Sequence, residues 1–164
     1  MNNAGFAHQT LLLLAKQLKL LQATQAILEG QKVAFAHKQQ ALCSLHDSIE
    51  QNINTMINKL PVTQHSNAAI SAHGTQQTEN ESGEFINLIK HNWKVKLAQT
   101  QLDARISRVH RQDKRIREAI DKAQALLASL AKKRGTGAFS SSLQVTLELS
   151  VLRNQLLLKQ YNRL

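Results

Sequence analysis

The chain has 164 residues, 42% hydrophobic and only 4% aromatic, with one proline, six glycines and a single cysteine. That is enough apolar material for one helical domain or two small ones; it excludes an internal disulfide and argues against a sandwich or barrel. The formal net charge of +10 and the isoelectric point near 10.1 favour polyanionic partners, through long-range attraction and counterion release, and leave the fold open.

The amino terminus reads MNNAGFAHQT before the apolar run LLLLAKQLKLL. It has no basic n-region, and Lys16 and Lys19 interrupt the run, so neither a signal peptide nor a membrane span is expected. The lone Cys43 fits a reducing compartment, and a cytoplasmic location is the expectation. Residues 8–60 read as helix: Leu11, Leu14, Leu18, Leu21 and Leu28 recur at spacings of three, four or seven, and Leu42, Leu45, Ile49, Ile53, Met56 and Leu60 repeat the pattern. Gly30, between the two runs, marks a kink or a short turn, and Pro61 ends the segment.

Residues 61–83 are rich in Ser, Thr, Asn and Gln, with few large apolar groups, and are expected to form a mobile polar linker. A second long helix is expected over 84–134. Leu102, Ile106, Val109, Ile116, Ile120, Ala123, Leu127 and Leu130 lie on one 3-4 stripe, with Asp113 as its single polar interruption. The stripe reads as core within the chain; a seam for another helical protein is the alternative. Gly135-Thr136-Gly137 stops this helix.

In the last element, residues 143–163, Leu143, Val145, Leu147, Leu149 and Val151 alternate as in a strand, whereas Leu147, Val151 and Leu158 share one helical face. No second strand is evident, so helix is expected. The whole reads as all-α: an antiparallel helical bundle or hairpin with coiled-coil character, in segments 8–60, 61–83 and 84–164.

Charge is unevenly placed. Residues 90–134 hold 13 of the 21 basic residues against four acids (Asp103, Asp113, Glu118 and Asp121), a net +9. Arg108, Arg111, Arg115 and Lys122 follow at spacings of three, four and seven and form a basic ridge beside the apolar stripe. A helix with one apolar and one basic face can pack with the first and bind phosphates with the second. A solvated face that only keeps the protein in solution would be better balanced in sign. Trp93, within Lys90, Lys94 and Lys96, is suited to stacking a base if exposed. Its place in the row Ile86, Ile89, Trp93, Leu97 accounts for it as core, which is the stronger expectation.

No catalytic or metal-binding arrangement stands out. The seven histidines are scattered, Cys43 and His46 lack further ligands, and no phosphate-cradling glycine motif occurs. A non-enzymatic protein without cofactor or metal is expected.

The run Lys114-Arg115-Ile116-Arg117-Glu118 resembles an Arg-Arg-Leu-Arg-Glu stretch of the primosomal replication protein PriC family. The closing run, Leu147-Glu148 through Leu152-Arg153 to Leu158-Lys159 and Asn162-Arg163-Leu164, is similar to that family's final helix, at about the same separation. Phe35 matches a phenylalanine of the family's amino-terminal half. The resemblance covers the last third of the chain. It departs from the family at Arg111-Gln112-Asp113, where an aromatic and Glu-Arg-Arg are usual, and at Arg153-Asn154, where arginine-cysteine is usual.

The resemblance implies a DNA replication restart accessory. Such a protein binds single-stranded DNA, docks the acidic tail of single-stranded DNA-binding protein and helps to load the replicative helicase. By the resemblance, Arg115 and its neighbours Lys114 and Arg117 receive the acidic tail, with Arg153 assisting; the ridge residues Arg108, Arg111 and Lys122, and Lys96 near Trp93, complete the expected nucleic-acid or acidic-tail site. Guanidinium forks match carboxylate and phosphate geometry, which suits the arginines to that task. The rival is a helical accessory, export chaperone or coiled-coil stalk, of a flagellar or type III secretion apparatus.

Overall fold

The structure, a computed structural model, describes residues 3–59, 75–133 and 141–161. All of them are helical: α1 (Asn3–Lys59), α2 (Thr75–Lys133) and α3 (Ser141–Tyr161), with no strand among the described residues. The fold is all-α. The alternation at 143–151 lies within α3, where Leu147 and Val151, four residues apart, are buried.

The largest differences from the reading along the chain are at Gly30 and at the start of α2. α1 runs through Gly30 without a break. One glycine costs a helix about 1 kcal/mol relative to alanine, too little to interrupt a helix whose flanking turns are packed. α2 starts at Thr75, so residues 75–83 are helix rather than linker; polar composition does not oppose helix where the turns that follow are anchored. Leu60 and Pro61, the rest of the linker, and the stop at Gly135-Thr136-Gly137 lie outside the described residues.

Gly30 carries a prediction. A Cβ added there meets nothing within 4 Å. Gly30→Ala should therefore stabilise the protein by roughly 0.5–1 kcal/mol, by restricting the unfolded chain and favouring helix. Urea unfolding of the two proteins checks it; an unchanged or lower midpoint would mean that α1 is not continuous here.

What pairs α1 with α2 is a seven-residue repeat in each. In α1, Leu14, Leu21, Leu28, Phe35, Leu42, Ile49 and Met56 are buried or half-buried. In α2 the same holds for Leu88, Val95, Leu102, Val109, Ile116, Ala123 and Leu130. A strict seven-residue period keeps one seam facing a partner helix, as in coiled coils.

The packing forms two compact units that cut across the linear segments: Met1–Val33 with Ser107–Leu164, and Ala34–Ile106. The first is a three-helix unit, made from the amino-terminal part of α1, the carboxyl-terminal part of α2, and α3. Leu14, Ala123, Leu130, Leu147 and Val151 form its core cluster, backed by Leu11, Leu18, Leu126, Leu127 and Leu143. The Gln17 side chain donates to the Val151 carbonyl at 3.0 Å, tying α1 to α3. The stripe expected over 102–130 is thus occupied within the chain: Leu102, Val109, Ile116, Ile120, Ala123 and Leu130 are buried. It is not available as a seam for another protein.

The second unit pairs α1 with α2 alone among the described residues. Gln39 with Asp103 (3.1 Å), Cys43 with Gln99 (3.9 Å) and Glu50 with Lys96 (3.9 Å) mark an antiparallel register. Ile49, Val95 and Leu102 are its buried residues, while Leu42, Ile53, Met56 and Leu88 are half-buried.

Candidate polyanion-binding surface

The seam of α2 decides where its cations point. With Val109, Ile116, Ala123 and Leu130 facing inward, Arg108, Arg115 and Lys122 fall one heptad apart on the outer side, with Arg111 between them. At 1.5 Å per residue the row from Arg108 to Lys122 is about 21 Å long. All four are exposed. None takes part in an ion pair among the described residues. Lys114, also exposed and in no ion pair among the described residues, sits on the neighbouring shoulder of the same helix. Two acids share the outer side, Glu118 one heptad beyond Arg111 and Asp121 one heptad beyond Lys114. The ridge keeps a clear positive excess, and its charges stand in water, where a partner's anions can reach them.

The remaining expected site residues stand elsewhere. Arg153 is exposed on α3, next to the buried Asn154. Lys96 belongs to the two-helix unit and lies 3.9 Å from Glu50, a weak exposed pairing.

Arg117 differs from its neighbours. It projects at the edge of the seam, where its Nε donates to Asp113 at 2.9 Å and its Nη2 to Glu29 of α1. Lys32 of α1 reaches the same Asp113 at 2.5 Å and Glu29 at 3.2 Å. Glu29, Lys32, Asp113 and Arg117 therefore form one four-member network. Asp113 is buried at a core position, which demands paired cations. Arg117 is largely neutralised by this network and sits apart from the ridge. Such a polar layer in an apolar seam admits few registers, since a one-heptad slip would bury Asp113 without a cation.

The network shifts its bases. The hydrogen bond to Asp113 raises the Lys32 ammonium above its ordinary value of 10.5, with Glu29 adding to the shift against desolvation. The bond to Glu29, then the charge of Asp113, raises Arg117. Because folding raises the Lys32 value, its contribution to stability is complete below about pH 10.5 and is lost as pH climbs through the raised value. Lys32→Met should remove that alkaline component: the stability difference between the two proteins stays constant from about pH 7 to 10 and shrinks above. Urea midpoints across that range check it, and a difference that grows with alkalinity would exclude the linkage.

Trp93 is 75% exposed, with Ile86 at 51% and Leu97 at 59%. The row Ile86, Ile89, Trp93, Leu97 is not core. The inward row of this part of α2 is Leu88, Val95 and Leu102. Both rows have helical spacing, and only the position of α1 selects between them.

Sequence reasoning missed Glu29 and Lys32. The signal was Asp113, a carboxylate in an apolar stripe that required a cation. Nothing along the chain named a lysine 81 residues away. His46 lies 3.3 Å from Glu50, and Cys43 meets Gln99 rather than a second ligand. No group of three or more His, Cys, Asp or Glu side chains able to hold a metal occurs among the described residues. None of the described helices is long and apolar enough to cross a membrane.

No family model, curated protein or solved structure matches the chain.

Proposed function

We propose that this protein is a non-enzymatic polyanion-binding accessory whose ridge, Arg108, Arg111, Arg115 and Lys122, takes single-stranded DNA or the acidic tail of a partner protein. The observation that supports this reading is the set of four exposed cations, none in an ion pair among the described residues, on the outer side of a helix whose inner side is used in packing. A helix so divided costs the fold little when it carries charge outward, and it presents guanidinium forks at a fixed spacing to phosphates or carboxylates.

The resemblance to the PriC family narrows the reading to replication restart. In it the ridge bridges single-stranded DNA and the tail of single-stranded DNA-binding protein while the replicative helicase is loaded, and no bond is made or broken. Lys114 and Arg153 are auxiliary contacts in this scheme, and Arg117 serves the fold. The heptad pairing of α1 and α2 would suit a coiled-coil stalk of a secretion apparatus equally well. That reading leaves the ridge without a role.

The test is fluorescence anisotropy with labelled oligo-dT and with an acidic peptide ending in phenylalanine, each titrated at several salt concentrations. Four phosphate contacts to a single strand give a log–log salt slope near −3 and weaken binding about fifty-fold between roughly 50 and 200 mM salt. Absence of binding to both probes at low salt would end the proposal.

A further inference from the structure

We infer that the exposed face of α2 carrying Ile86, Ile89, Trp93 and Leu97 docks an amphipathic helix with an acidic flank, supplied by a partner protein. The face belongs to the two-helix unit and is separate in sequence from the ridge at 108–122. Its four side chains follow at spacings of three, four and four, so they form one continuous apolar strip about 16 Å long, some three helical turns. They are exposed by between 38% and 75%. Among the described residues no other helix of this unit covers them.

Charge says which occupant fits. Lys90 and Lys94 border the strip, both exposed and neither in an ion pair among the described residues. A second copy of this chain, at net +10, would bring further positive charge to that border. A helix with glutamates or aspartates beside its apolar stripe would complement it. A nucleic acid strand would use Trp93 and the lysines, but it has no use for three aliphatic side chains in register with the tryptophan. In the three-helix unit the same heptad positions of α2, Lys114, Arg117, Asp121 and Ala125, are exposed and carry no large apolar side chain; only in the two-helix unit do they form an apolar strip. A large aromatic at the centre of an apolar strip with a charged rim is the usual make-up of a binding hot spot.

Trp93 is the only tryptophan, so its emission reports occupancy directly. The probe is a designed amphipathic peptide of about 18 residues, with leucines at helical spacing and glutamates on the flanks. Controls replace the glutamates by lysines or the leucines by serines. The acidic peptide should shift Trp93 emission to the blue and protect it from acrylamide, and neither control should.

Lys90→Glu/Lys94→Glu should weaken the peptide about tenfold or more, and Leu97→Ser should weaken it severalfold. Arg115→Glu, which removes a ridge cation, should leave it unchanged, so this surface and the ridge stand or fall separately. Circular dichroism should be the same for all three variants, since the altered side chains are exposed. Emission unmoved by the acidic peptide overturns the inference. So does an equal response to the lysine control, a shift that depends on protein concentration alone and so marks self-association, or a response to oligo-dT only.

Discussion

Arg111→Glu/Arg115→Glu is expected to bind labelled oligo-dT at least a hundredfold more weakly than the unmodified protein at about 50 mM salt, with its helical content unchanged. Each reversal removes a phosphate contact and adds a repulsive charge inside a row about 21 Å long. Both residues are exposed and form no ion pair among the described residues, so the fold has nothing to lose. The salt slope should flatten as well: by about 0.7 for Arg115→Ala and by roughly twice that when Arg111 is also replaced by alanine.

Arg117→Ala is the informative comparison. Its guanidinium is already held by Asp113 and Glu29, so it should barely change DNA affinity while lowering stability. Two arginines two residues apart then separate into a binding residue and a structural one. A double reversal that stays within threefold of the unmodified protein would remove the ridge from consideration. An Arg117→Ala variant as defective in binding as Arg115→Ala would show that the network opens to receive the ligand.

The second large effect concerns stability. Leu147→Ala should cost about 3 kcal/mol, since the side chain is fully buried among Leu14, Ala123, Leu130 and Val151, and the cavity cannot collapse between long helices. That is a large share of the total of roughly 5–15 kcal/mol that holds a domain together. The loss should appear first as faster amide exchange along α3, because that helix is held by few long-range bonds, Gln17 to Val151 among them. Leu149→Ala, two residues on and exposed, should cost less than about 0.5 kcal/mol. Urea unfolding and hydrogen exchange of the two variants give the contrast. Equal effects at 147 and 149 would mean that α3 does not dock through the face described.

Much of this architecture could be read along the chain because helices announce themselves locally. Apolar residues three and four apart, one proline, and an acid-poor, arginine-rich stretch gave the all-α class, the in-chain stripe over 102–130 and the position of the ridge. The last element read as helix for a physical reason: a strand needs a partner strand, and none was available. Boundaries were less legible. Thr75 to Gly83 has no apolar periodicity to betray a helix, yet α2 includes it. Gly30 looked like a break because local propensity was weighed without the packed turns on either side.

By itself, then, the sequence determined that the protein is helical, that its excess charge is concentrated in one helix, and that Asp113 interrupts an apolar stripe. Tertiary structure decided which residues remain free. Arg115 and Arg117 are chemically alike, and two carboxylates, one of them 88 residues distant, take one and leave the other. Leu88–Val95–Leu102 and Ile86–Trp93–Leu97 are both rows of a single helix, and the placement of α1 buries the first and leaves the second in water. Periodicity states that a helix has an apolar side. Where one helix has two such sides, only the partner that packs against it selects which becomes core, because burial is a property of the pair.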